Sequence, residues 1–269
     1  MREAARQLGI DRRQFYQLCE RFGIVLEADG VDFSPGTMGR HVILFLAANP
    51  AVITRRALEE ECEAIEHELR MTTGGDDLDF RPKWAVSVDE MIRHFNELRP
   101  TVVHFSGHGG DSADMYFQGE QPQPSPAHRS ITAVTDPGIQ LRGNQRTLQH
   151  VPARALAHMI GSAAPSARVV VLNACFSDAV ADALSSVVDC VVGTRSAIDD
   201  DAARAFAVDF YRALGYRRSV GNAVAQAVAT LAAKQLPHEH LPICRTRDGM
   251  NADQVILPRL DPRRQPGTS

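Results

Sequence analysis

The sequence predicts an α/β fold, a mostly parallel sheet flanked by helices, and three observations carry that prediction. Short apolar runs of strand length recur along the 269 residues, among them His41–Ala47, Val102–Phe105, Val169–Leu172 and Cys190–Gly193. They lack the period-two alternation of a half-solvated strand, as strands buried on both faces do. Helical patterns fall between them, and that alternation of strand and helix implies parallel pairing through right-handed crossovers.

Taken in order, residues 2–24 read as two short helices with a turn at Gly9, the second opened by Asp11 and closed by Gly23. This small N-terminal helical element occupies residues 1–26, and the Gly-, Asp- and Pro-containing stretch 27–39 reads as a linker. The main domain spans 40–258. His41–Ala47 is its first strand. Thr54–Arg70 is a helix, with Glu at exposed positions and Leu58, Ile65 and Leu69 turned inward. Asp79–Val86 is a strand, and Ser87-Val-Asp-Glu90 is a capping box that opens a helix to Leu98. After the strand at Val102 come an irregular stretch over 110–146, a helix near Pro152–Ser162 and the strand at Val169. A helix from Asp178, a strand at Cys190–Gly193 and two helices, Asp199–Leu214 and Ser219–Lys234, complete the pattern. The irregular stretch holds two strand-like pieces, Asp114–Phe117 and Ser130–Val134, around an exposed tract, Glu120–Arg129. Loops of this length in a compact domain are usually functional lids or mobile segments. Residues 259–269 read as a disordered tail.

Composition removes several classes. The net charge of −4 gives no global basic field for nucleic acid. No apolar run approaches the ~20 residues of a membrane span, and Met1-Arg-Glu-Ala-Ala-Arg lacks the apolar core of a secretion signal. A cytoplasmic protein is therefore expected. The five cysteines, Cys19, Cys62, Cys175, Cys190 and Cys244, stand singly, so neither a zinc site nor a disulfide framework is indicated, and no metal or other cofactor is expected. Of 29 basic residues only Lys83 and Lys234 are Lys, a bias that with abundant Ala points to a GC-rich bacterial genome.

Chemistry gathers at two strand ends. Thr101-Val-Val-His-Phe-Ser-Gly-His108-Gly-Gly and Arg168-Val-Val-Val-Leu-Asn-Ala-Cys175-Phe-Ser each run from apolar to small or polar residues. In an open α/β sheet, ligands and chemistry collect beyond the carboxyl ends of the strands. One His and one Cys would thus share a rim, a workable thiolate–imidazole pair. A free Cys often merely fills a core, but polar Asn173 marks the strand's exit before Cys175. His104 lies mid-strand between Val103 and Phe105 and reads as a hydrogen-bonded core histidine, whereas His108 lies past the strand between two glycines. The Gly-rich turn could instead cradle phosphate, yet it matches neither G-x-x-x-x-G-K-[ST] nor G-x-G-x-x-G.

The segments VVHFSGHGG and VVLNACFSDA resemble the two catalytic blocks of the CHAT family, caspase-like cysteine peptidases of clan CD. The run from Asp189, DCVVGTRSAIDDDAARAFAVDFYRALGYRRSVGNAVAQA, is similar to the C-terminal half of such a domain, so the resemblance spans roughly Gly39–Leu257. It implies a caspase-hemoglobinase fold and a cysteine endopeptidase that cleaves a partner protein, in a bacterial regulatory or defence pathway. Within it, His108 is the base and Cys175 the nucleophile. The backbone N–H groups of Gly109 and Cys175 form the oxyanion hole, and Asn173 lines the S1 pocket. Attack on a carbonyl needs such preorganised donors, and a Gly lets its N–H approach without a clashing Cβ. The caspase motif Q-A-C-[RQG]-G with its His about 50 residues upstream is not matched. Here the sequence is Asn173-Ala-Cys175-Phe-Ser and the His lies 67 residues upstream, so an Asp-specific S1 pocket is not implied. Asp178 and Asp200, beside Asp199 and Asp201, could select a basic P1 residue or could simply cap helices.

The N-terminal EAARQLGIDRRQFYQLCERFGI resembles the helix-turn-helix of bacterial enhancer-binding activators, which would turn Arg12, Arg13, Gln14 and Tyr16 toward DNA. That family has a preceding helix, and Met1 here falls inside the first helix of the pair. The unit is therefore truncated, or the true start codon lies upstream. The same segment also reads as a helical hairpin that docks on the main domain or on a regulatory partner. A catalytically silent scaffold and a DNA-binding regulator remain the alternatives to a peptidase. Expected partners are a protein or peptide substrate, with no membrane.

Overall fold

The computed structural model describes residues 26–27, 30–31, 40–47, 52–107, 138–142, 148–173 and 177–259. They fall in two units, one within Met1–Arg40 and Leu260–Ser269, the other His41–Arg259. In the first, β1 (Leu26–Glu27) pairs antiparallel with β2 (Gly30–Val31), inside the stretch read as the end of the helical element and a linker. The helices expected over 2–24, the strand-like pieces at 114–117 and 130–134, and the tail from Leu260 lie outside the described residues.

The second unit is built on a six-stranded sheet from β3 (His41–Ala47), β4 (Leu78–Trp84), β5 (Val102–Ser106), β8 (Val169–Asn173), β9 (Cys190–Thr194) and β10 (Pro242–Thr246), in the order β10-β9-β8-β5-β3-β4. All pairings are parallel except β9 with the edge strand β10. A separate hairpin joins β6 (Gly138–Arg142) to β7 (Leu148–Pro152). The helices are α1 (Val52–Met71), α2 (Val88–Leu98), α3 (Ala153–Ala163), α4 (Asp178–Leu184), α5 (Asp200–Gly215) and α6 (Val220–Ala233). A mostly parallel sheet with helices on both faces is the architecture the alternation implied.

The helix starts follow from their caps. Ser87 and Glu90 form the reciprocal box at α2, the Ser87 N–H donating to Glu90 Oε2 at 2.9 Å. Asp199 Oδ1 accepts from the Ala202 N–H at 2.8 Å and opens α5, and the Ser219 hydroxyl accepts from Asn222 N–H at 3.2 Å and opens α6.

Strand side chains alternate between two cores. Ile43, Phe45, Val102, Val169, Val171 and Val192 face α1, α5 and α6, packing on Leu58, Ile65, Phe210 and Leu231. Leu44, Leu46, Val103, Phe105, Val170 and Leu172 face α2, α3 and α4, packing on Met91, Phe95, Leu156 and Ile160. Burial of this kind stabilises by about 25 cal/mol per Å² of apolar surface. Leu58, Ile65 and Leu69 are indeed inward on α1, but Glu61 is not exposed as its Glu-rich surroundings suggested; it is 4 % exposed.

Candidate active site

β5 and β8 are neighbours and parallel, with Ser106 opposite Asn173 at their carboxyl ends. The Gly107 N–H continues the ladder by donating to the Asn173 carbonyl at 3.2 Å. In sequence, His108 follows Ser106 by two residues and Cys175 follows Asn173 by two. His108, Gly109 and Cys175 themselves lie outside the described residues, as do Arg12, Arg13, Gln14 and Tyr16.

What the structure describes is the frame on either side of them. Asn173 is half-buried, and its side-chain amide donates to Glu61 Oε1 at 2.6 Å. The Ser106 hydroxyl donates to Glu61 Oε2 at 2.5 Å. One carboxylate from α1 thus takes a donor from each strand end. On the far side of the 174–176 segment, buried Ser177 is tied to β9: its N–H donates to the Thr194 carbonyl at 3.0 Å, and its hydroxyl accepts from the Thr194 N–H at 2.8 Å. Gly193 is required for that seat, because a Cβ there would stand 2.7 Å from Ser177 Oγ.

Below the strand ends, His104 is fully buried. It stacks on Phe45 with ring centroids 4.8 Å apart, and its Nδ1 lies 3.0 Å from the Tyr211 hydroxyl. This is the hydrogen-bonded core histidine the sequence suggested. Its Nε2 is 3.1 Å from Glu61 Oε1, a close contact that lacks the alignment of a hydrogen bond. Burial first, and then the Glu61 charge, push the Tyr211 hydroxyl well above the usual range, so it stays protonated. Ion pairs clamp α1 to α5 on both sides of this cluster: Glu60 with Arg204 at 2.7 Å, and Glu68 with Arg212 in a two-pronged pair at 2.8 and 2.9 Å.

Of the two acids proposed for S1, Asp178 is engaged elsewhere. Asp178 opens α4, and its Oδ1 accepts from Arg245 Nη2 of β10 at 2.7 Å; Arg245 Nε is 2.9 Å from Asp182. Asp200 is the exposed first residue of α5, next to the cap Asp199. A cleft of about 750 Å³ opens between the amino ends of α3 and α4, lined by Pro152, Arg154, His158 and Ala179 among others. Two other cysteines are poor nucleophiles. Burial, then Glu66, Glu61 and Glu63, push the Cys62 thiol up to about 12, and a hydrogen bond to Cys244 with burial pushes Cys190 up as well. Among the described residues no cluster of His, Cys, Asp and Glu is placed to hold a metal ion, and no helix is long and apolar enough to cross a membrane.

Glu61 and Tyr211 were missed in the sequence. The signal for Glu61 was present: it stands three residues after Leu58 and four before Ile65, on the inward stripe of α1.

The framed strand ends coincide with the two blocks that suggested a family. A CHAT domain model matches residues 40–244. The chain belongs to the CHAT domain family. Among curated proteins, this CHAT chain is 24% identical over 205 residues to a Roc-COR-CHAT protease from an unknown prokaryotic organism. The match covers 73% of this chain but only 17% of that relative's length. Among solved structures, the Drosophila initiator caspase Dronc is similar at TM-score 0.47 and 8% identity, over 86% of this chain and 94% of that one. Iotapain, a secreted C11 cysteine protease from Bacteroides thetaiotaomicron, gives 0.40 and 12%, over 60% and 54%.

Proposed function

We propose that this CHAT domain is a cysteine endopeptidase acting on a partner protein through His108 and Cys175. The observation that carries the reading is the pairing of Ser106 with Asn173 at adjacent parallel strand ends, each two residues before one member of the dyad. CHAT membership and the protease name of the curated relative support it.

In this reading His108 takes the thiol proton of Cys175, and the sulfur attacks the scissile carbonyl to form a C–S bond. The oxyanion is met by the N–H groups of Gly109 and Cys175. The imidazolium gives its proton to the leaving amine as the C–N bond breaks. Water, deprotonated by His108, then hydrolyses the thioester and restores the thiol. A dyad suffices; no third member is invoked.

Asn173, half-buried, contributes to S1 with its amide oriented by Glu61. The Asp178 carboxylate is offset by Arg245, which weakens its pull on a basic P1 side chain. Purified protein is to be tested on a peptide library mixed at P1, beside Cys175→Ala. Cleavage by the wild type and none by the variant is expected. Cleavage that persists in Cys175→Ala contradicts the assignment.

A further inference from the structure

Glu61 is 4 % exposed, yet three polar groups converge on its carboxylate. The Ser106 hydroxyl reaches one oxygen at 2.5 Å; the Asn173 amide reaches the other at 2.6 Å, with His104 Nε2 3.1 Å from that same oxygen. Taking such a group out of water costs several kcal/mol unless its lone pairs are met. Removing any one donor therefore leaves a deficit, not a neutral change.

The location gives the cluster a use. Ser106 and Asn173 are the last residues of β5 and β8, and they belong to different strands, so backbone pairing alone does not fix their side chains relative to each other. A single carboxylate from α1 does. His104 holds that carboxylate from beneath and is itself held by Tyr211 of α5. The two ring nitrogens of His104 thus face opposite partners, Nε2 toward Glu61 of α1 and Nδ1 toward the Tyr211 hydroxyl of α5. The titratable groups facing Glu61 are thus His104 from β5 and Tyr211 from α5, with Cys62 beside it on α1.

We propose that Glu61 is a positioning residue for the peptidase reaction: by joining the ends of β5 and β8 it fixes the approach of His108 to Cys175. The inference rests on the dyad reading above. A positioning role predicts loss of rate with little loss of binding, because misplacement of about 1 Å between reacting groups can cost roughly 100-fold in rate.

The test uses the full chain with Glu61→Gln and Ser106→Ala. Gln keeps the shape but removes the charge and turns one acceptor oxygen into a donor amide, so the two donors from Ser106 and Asn173 no longer meet a carboxylate. Two quantities are read on folded protein, checked by circular dichroism. The first is kcat and KM on the best library peptide. The second is the rate of iodoacetamide alkylation at Cys175 against pH, followed on its peptide by mass spectrometry. Glu61→Gln is expected to lower kcat by roughly 10- to 100-fold with KM within about twofold. The alkylation midpoint should move up toward the ~8.5 of a free thiol as His108 loses its hold on the thiolate. Ser106→Ala should move both in the same direction by less, and it decides the matter if Glu61→Gln does not fold. An active wild type with unchanged kcat and an unchanged midpoint in the folded variants overturns the role of Glu61 alone. A wild type with no Cys175-dependent cleavage and a free-thiol midpoint overturns the dyad reading and this inference with it.

Discussion

The two faces of the central sheet are packed by different rules. Toward α2, α3 and α4, strands β3, β5 and β8 present only Leu44, Leu46, Val103, Phe105, Val170 and Leu172, and any well-fitting apolar set would serve. Toward α1, α5 and α6, β3 stays apolar with Ile43, Phe45 and Ala47, whereas β5 and β8 begin apolar, with Val102 and Val169, and become polar toward their carboxyl ends, with His104, Ser106 and Asn173. The first face is where stability is generated. The second gives up some of that stability to place directional groups beneath the rim where the site lies. A buried polar network of this kind is costly where a partner is missing, which makes the Ser106 and Asn173 bonds to Glu61 sensitive to substitution.

That contrast can be broken at the apolar face first. Phe95→Ala empties a fully buried ring site between α2 and the sheet and should cost about 3–5 kcal/mol of stability, seen as a lower denaturation midpoint, while kcat per folded molecule stays the same. A fall in kcat without unfolding would mean the two faces are not separable. The polar face should respond in the opposite sense. Tyr211→Phe keeps the ring but strips the hydroxyl from His104 Nδ1; it should cost about 1–2 kcal/mol for the orphaned nitrogen. Unlike Phe95→Ala, it should also lower kcat.

The smallest effect lies at the opposite end of β3. His41 is buried, with Nε2 donating to the Pro258 carbonyl at 2.7 Å. Burial is the main cause that holds its pKa below the ordinary value of about 6.5. The unfolded chain therefore binds this proton more readily than the folded one. The contribution is present above pH ~6.5 and is lost as pH falls below it toward the folded value. His94 is shifted in the same direction by burial and adds to that slope. His41→Gln should flatten part of the decline in Tm between pH 7.5 and 5.5; an unchanged slope would remove His41 as a source.

Much of this was legible in the sequence because apolar runs of strand length, set between helical patterns, read as buried strands, and because Ser87, Asp199 and Ser219 declare their helices through caps. The edge strand β10 was not, since Pro242-Ile-Cys-Arg-Thr246 carries a Pro and a charge and alternates weakly, as an antiparallel edge can. The hairpin β6–β7 was likewise missed, its residues falling at the end of the irregular stretch and the start of the next helix. At the site, Asn173 was picked out by its place at a strand end. Glu61 was hidden among the other glutamates of α1, because composition registers charge while only helical phase registers direction. That one carboxylate would bridge two strands depends on a register between β5 and β8, residues some 67 positions apart in the chain.

The account stands on paired strand ends carrying a His and a Cys that act together. Hydrolysis of one library-selected peptide by the wild type, Cys175→Ala and His108→Ala tests it most directly. The account predicts that both variants fall by a thousandfold or more, about equally, as members of one catalytic unit do. Cleavage by His108→Ala at the wild-type rate, with Cys175→Ala silent, would contradict it.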